Sequence, residues 1–297
     1  MHRVALLWYL LALCTVGMAQ SNLASRSLVL SHITVINPSD ARPTRDMAVV
    51  ITGNHIIAVS SAANARIPEG AEILEGRGKF VIPGLADMHN HLGTGYVLPG
   101  PPVPGAEAGP EARNFRSNLS QLLGWGFTTI FSTSHSSPSL EDFSNLKRAS
   151  MNDAAAIPRF FGVGRAISVK GGHASQPAFA SYLPETPAEV REEVRAMRQA
   201  GVDAIKLIYS DQSHTSRPPL PVMKPEILRA AIDEAHRSGL RVIVHAPTLR
   251  HANEALRAGA DGLSLGRRCA GGPGVPVADE AKSGYLHEHA VAVHGVL

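Results

Sequence analysis

Beyond Pro83 the chain keeps returning to one phrase, a glycine that closes a helical pattern and opens a β-branched run. It reads Gly126-Phe127-Thr128-Thr129-Ile130-Phe131, then Gly201-Val202-Asp203-Ala204-Ile205-Lys206-Leu207-Ile208, then Gly239-Leu240-Arg241-Val242-Ile243-Val244, and finally Gly259-Ala260-Asp261-Gly262-Leu263. Glycine belongs just past a helix C-terminus, where the backbone turns left-handed. The helices between are legible. Thr186-Pro187-Ala188-Glu189 supplies an N-cap, a proline in the first turn and a capping-box glutamate, and Val190, Val194 and Met197 follow at helical spacing. Pro225 opens a second helix with Leu228, Ala231, Ile232 and Ala235 on one face, and a short third runs from His251 to Ala258. Strands alternating with helices predict parallel βαβ units. Strands are expected near 80–88, 127–132, 160–167, 203–209, 241–246 and 260–265. Six parallel strands in order suit a doubly wound sheet or an incomplete (β/α)8 barrel.

Upstream the period changes. Ser27–Leu30, Ile33–Ile36, Met47–Ile51, His55–Val59, Ala71–Glu75 and Lys79–Ile82 are short strand-like runs punctuated by Asn37-Pro38, Gly53-Asn54 and Gly76-Arg77-Gly78. Residues 20–82 therefore read as a small N-terminal β segment, too small to bury a full core alone.

The first 19 residues read as an export signal. His2 and Arg3 precede the apolar run Val4–Val16, and Gly17-Met18-Ala19 offers small residues for cleavage. The apolar run is too short to span a bilayer comfortably. Cleavage after Ala19 predicts an exported, periplasmic or secreted protein with no stable membrane association; an uncleaved anchor is the alternative. Cys269 is then the sole cysteine, which leaves no internal disulfide. A net charge of +3, without a basic stripe interleaved with aromatics, argues against nucleic acid as a partner.

The chemistry-bearing residues fall at strand ends. Phe80-Val81-Ile82-Pro83-Gly84-Leu85-Ala86-Asp87-Met88-His89-Asn90-His91 leads an apolar strand into a His-x-His pair. Residues two apart on a strand share a face, so His89 and His91 present two imidazoles together, a start on a metal site. Two surface histidines are the plain alternative. Lys206 lies inside the apolar run Ala204–Ile208, where it either snorkels to an edge or, buried, loses its charge. A neutral amine there can take up carbon dioxide as a carbamate. His245, in Val242-Ile243-Val244-His245-Ala246-Pro247, is either a third imidazole or a satisfied core histidine. Functional residues at the C-terminal ends of successive strands favour the barrel.

These phrases resemble the amidohydrolase superfamily, and within it the imidazolonepropionase-like branch of exported hydrolases and metallodipeptidases. The resemblance spans Leu28 to about Ser264. It implies a metal-dependent (β/α)8 TIM-like barrel over 83–264 beside an N-terminal β-sandwich. It implies one or two divalent ions, zinc by preference, with His89 and His91 on one metal, Lys206 bridging as a carbamate and His245 on the second. It also implies hydrolysis of an amide-type C–N bond in a dipeptide, cyclic amide or other small molecule. The metals would activate water and polarise the carbonyl, and a carboxylate would move the proton. Gly171-Gly172-His173 resembles a substrate-side loop of such enzymes, which makes His173 a candidate substrate-binding residue; a surface turn is the alternative.

The pattern is broken in one stretch. The family phrase calls for histidine where Leu265 stands, and the catalytic aspartate expected at the end of an eighth strand has no counterpart; Asp261 and Asp279 do not match its motif. Residues 265–297 show no apolar period, and His287, His289 and His294 make no convincing metal motif. A shortened or frameshifted tail is the expectation, and with it an impaired enzyme or a non-catalytic paralogue.

Overall fold

The computed structural model describes residues 26–40, 42–92, 118–135, 139–152, 156–176, 179–213, 215 and 218–264. The signal-like segment and the tail from Leu265 onward, including Cys269 and Asp279, lie outside the described residues. The chain divides into two compact units between Pro83 and Gly84.

In the first unit β1 (Ser27–Val35), β2 (Thr44–Thr52), β3 (His55–Ser61), β4 (Glu72–Glu75) and β5 (Phe80–Val81) form one mixed sheet in the order β3-β2-β1-β4, with β5 also on β1. The hairpins are antiparallel, and the Gly53-Asn54 turn sets Thr52 opposite His55. The far edge of β1 is covered in relay. Leu28–Ser31 pair in parallel with β4, and Thr34 and Val35 pair with β5. The hand-over is at Gly76, whose N–H donates to the Ser31 carbonyl at 2.8 Å; a Cβ there would collide with the Ile33 side chain. The buried centre is small, Val29, Ala48 and Val50 with three alanines against them.

The strand expected at 80–88 is two strands. Phe80–Val81 ends the first sheet, and β6 (Leu85–Leu92) begins the second unit. Pro83 has no N–H to give a ladder, and Gly84 passes so close to Thr128 that no Cβ fits.

The second unit continues with β7 (Phe127–His135), β8 (Arg159–Gly162), β9 (Ala204–Ile208), β10 (Arg241–His245) and β11 (Gly262–Ser264). Helical residues 118–124 precede β7, and the connecting helices are α1 (Leu140–Ser150), α2 (Pro187–Gln199), α3 (Pro225–Arg237) and α4 (Leu249–Arg257). The strands pair in parallel as β6-β7-β8 and as β9-β10-β11. Between the triplets runs a seam. Ile167 bridges to Leu207, its N–H donating to the Lys206 carbonyl at 2.9 Å and its carbonyl accepting from Ile208 N–H at 2.8 Å. The third expected strand is thus short, interrupted at Gly164 (φ 66°), and resumes for a single residue. The strands succeed one another in chain order without the reversal a doubly wound sheet requires.

Helix ends follow the sequence signals. Thr186 Oγ1 accepts from Glu189 N–H while the Glu189 carboxylate accepts from Thr186 N–H, and Ser139 and Thr248 cap α1 and α4. Gly126, Gly201, Gly239 and Gly259 all have positive φ. Two of the glycine phrases carry an aspartate with a shared task. Asp203 N–H donates to the Gly162 carbonyl and its Oδ2 accepts from Gly162 N–H at 2.9 Å; Asp261 N–H donates to the Val242 carbonyl and its Oδ2 accepts from Val242 N–H at 2.7 Å. Each carboxylate also meets a side chain from a helix, the Lys147 ammonium at 2.6 Å and the His236 ring at 2.8 Å. The main core lies between the strands and helices. Ile130, Phe160, Ile205, Leu207, Val242 and Val244 face Phe143, Val190, Met197, Leu228 and Ile232. Among the described residues no helix is long and apolar enough to cross a membrane.

Candidate functional site

Alternation leaves the other strand faces pointing inward. On β9 the pair Ile205 and Leu207 joins the helix-side core, which turns Lys206 and Ile208 the opposite way. On β10 Val242 and Val244 do the same, turning His245 inward. At the C-terminal ends these side chains enclose a cavity of about 130 Å³. His89, His91, Lys206, His245 and His173, the five residues singled out by sequence, all line it.

The β6 end is held by Asp87, whose Oδ1 accepts from His89 N–H at 3.0 Å and whose Oδ2 accepts from the Asn90 amide at 2.7 Å. His89 and His91 then bring their Nε2 atoms to 3.2 Å. Both imidazoles have pKa values lowered to about 4, first by burial and then by the Lys206 charge, with Asp87 opposing weakly. Both rings are therefore neutral near pH 7, the form that offers a lone pair to a metal. Lys206 is 2% exposed and its Nζ donates to Ser264 Oγ at 2.5 Å. His245 stands edge-on to His173 with ring centroids 4.6 Å apart. The His173 turn is packed rather than a loose surface turn: its carbonyl accepts from Ser168 Oγ at 2.5 Å, and Gly172 lies against Val169 and Pro221 without room for a Cβ.

A network beyond the end of β9 ties it to α4. The Tyr209 hydroxyl donates to Glu254 at 2.8 Å, Arg250 pairs with Asp211 at 2.7 Å, and the buried His251 packs on the Tyr209 ring. Burial first, then the Glu254 hydrogen bond, pushes the Tyr209 phenol up to about 12.

The donor set fits a metal in part. Two nitrogens each about 2.0–2.1 Å from a tetrahedral zinc lie about 3.3–3.4 Å apart, and the His89–His91 separation is 3.2 Å. Among the described residues no three His, Cys, Asp or Glu side chains converge as a set, so the pair by itself is not a complete ligand set. Sequence reasoning missed Thr133, Ser134 and Phe179, which also line the cavity, and Ser264, which holds Lys206. Nothing in their local sequence marks them, because their placement depends on strand register.

A sequence profile of the Amidohydrolase family matches residues 80–282. The chain belongs to the Amidohydrolase family. The match opens on Phe80 and runs past Ser264. A dihydroorotase of Pelotomaculum thermopropionicum is 27% identical over 220 residues, which is 73% of this chain and 41% of that one. Among solved structures, a prolidase complexed with N-methylphosphonate-L-proline superposes with TM-score 0.64 at 24% identity, covering 80% of this chain and 60% of that one. Molinate hydrolase superposes with TM-score 0.63 at 22% identity, covering 81% and 58%. The amidohydrolase chain thus spans about two fifths of that curated relative and about three fifths of these structures. At these identities the superpositions establish the α/β fold that the chain shares with amidohydrolase barrels.

Proposed function

We propose that this amidohydrolase is a metal-dependent hydrolase of amide-type C–N bonds in a small molecule or dipeptide. The neutral His89–His91 pair at 3.2 Å, in one cavity with Lys206 and His245, carries the reading. His89 and His91 would hold a divalent ion, with zinc suited to imidazole donors. Lys206, once carboxylated on its buried amine, would add two oxygens, and His245 would serve a second ion. When bound, the metal supplies Lewis acidity that polarises a carbonyl and makes water a nucleophile near neutral pH. The chain's own part is orientation and exclusion of water. Phe179 and Ile208 give the cavity an apolar side, and His173 braces His245 edge-on. The dihydroorotase and prolidase likenesses support a cyclic amide or a dipeptide as substrate class. The signal-like residues 1–19 support export.

Turnover by this chain is low in our reading. Among the described residues no carboxylate lines the cavity to move a proton, and Leu265 occupies the place of an expected ligand. The same lack favours a second reading, a paralogue that binds without catalysing. Metal analysis of the recombinant chain, beside assays on dipeptides and cyclic amides, tests both. Bound zinc that is lost in His89→Ala and His91→Ala, with slow turnover regained in part by Leu265→His, supports the proposal. Metal without any turnover supports the paralogue, fast turnover overturns the deficit, and a metal-free wild-type chain overturns the metal reading.

A further inference from the structure

The end of β7 holds a device that the metal-site residues do not use. Along β7, Ile130 joins the helix-side core opposite Phe160, and Phe131 packs on the inner face with Val163, Ala204 and Ile243. Continued alternation would put Thr133 inward and send Ser134 back toward the helices. The β6–β7 register slips instead. Asn90 pairs with Ser132 and His91 with Ser134, which leaves Thr133 as an extra residue. Such a bulge re-aims the side chains that follow it. Ser134 consequently lines the cavity together with Thr133, on the same side as its register partner His91.

The three hydroxyls of the bulge differ in what they do. Ser132 Oγ donates to the Ser134 carbonyl at 2.9 Å, and Thr133 Oγ1 donates to the Asn90 carbonyl at 3.3 Å. Both hold the bulge in shape. Ser134 is 4% exposed, and its Oγ has no hydrogen-bond partner among the described residues. A buried hydroxyl left open costs stability, and folds keep such groups where a ligand or water completes them.

We propose that Ser134 is a substrate-binding residue, its hydroxyl donating to a carbonyl or carboxylate oxygen of a small acyl ligand in the cavity. The polar wall around it is made of imidazoles, hydroxyls and the Lys206 amine, and among the described residues it holds no carboxylate, so an oxygen acceptor is the ligand chemistry it matches. The inference rests on reading this cavity as the hydrolase's substrate pocket.

Ser134→Ala and Ser134→Thr in the full chain, with N-acetylglycine as the probe, form the test. In the ligand-free protein Ser134→Ala keeps or raises Tm, because it removes an open hydroxyl and no bond. Calorimetry then gives N-acetylglycine binding about two- to tenfold weaker in Ser134→Ala, the worth of one hydrogen bond, with recovery in Ser134→Thr. A clear fall in Tm for Ser134→Ala overturns the proposal, since the hydroxyl would then be engaged in the fold. So does probe affinity that is equal with and without the hydroxyl, or no binding by a wild-type chain that carries metal; each of these leaves the hydrolase reading standing. A chain that takes up no metal removes the hydrolase reading and, with it, the assignment of Ser134 to a substrate pocket.

Discussion

His89 and His91 show how much a residue's setting alters its chemistry. As members of a sequence they are ordinary imidazoles with pKa near 6.5; in the fold both are lowered to about 4. Between those values the unfolded chain binds protons that the folded chain refuses, so the stability they contribute is full above about pH 6.5 and drains away toward pH 4. Urea unfolding of metal-stripped protein at pH 7, 5.5 and 4.5 is expected to show a falling midpoint, with a shallower fall in His89→Gln. An equally steep fall in that variant would refute the assignment. The histidines themselves were legible from the His-x-His spacing. Their mutual distance was not, since it depends on Asp87 gripping His89 N–H and Asn90 from below.

At the scale of elements, the recurring glycine phrases predicted the helix-to-strand returns, and each glycine sits left-handed as that reading required. Capping was equally local. Thr186→Ala removes the half of the α2 capping box that Thr186 Oγ1 supplies to Glu189 N–H, leaves the half from Thr186 N–H to the Glu189 carboxylate, and is expected to cost about 1 kcal/mol, read as a lower denaturation midpoint. The aspartates inside two of the phrases were not interpretable from sequence, because their partners lie on the neighbouring strand. Asp203 closes the seam between β8 and β9 and receives Lys147. Asp203→Ala leaves Gly162 N–H and the lysine without that carboxylate, and about 2 kcal/mol of destabilisation follows from hydrogen bonds to a charged group. Hydrogen exchange should rise at the Phe160–Gly162 amides first; unchanged protection there would argue against the seam. Boundaries were the weaker part of the sequence reading. The strand expected at 80–88 splits at Pro83-Gly84 because proline cannot donate to a ladder and Gly84 abuts Thr128.

Over the described residues, one large hydrophobic core and three small clusters carry the fold. The first sheet buries Val29, Ala48 and Val50. The second unit's main core gathers side chains from five of its strands and from all four connecting helices. Phe160 is fully buried there, its ring centroid 5.4 Å from that of Phe143. Phe160→Ala is expected to cost about 3–5 kcal/mol and to loosen the cavity residues with the core, seen as lost metal affinity as well as lowered Tm. Val29→Ala should lower stability while leaving metal affinity unchanged; a matched loss in both variants would contradict a separate origin for the site's rigidity.

What the sequence determined by itself is local or periodic: the alternation of strands and helices, the capped helix starts, the glycine returns, and the candidates His89, His91, His173, Lys206 and His245. Each follows from spacing or from a resemblance carried by a short run of residues. Tertiary structure alone decided the rest. It brought those five side chains to one cavity, set Lys206 on Ser264, and through a one-residue slip between β6 and β7 turned Ser134 toward His91. Register is a relation between strands distant in the chain, and no single stretch of sequence encodes it.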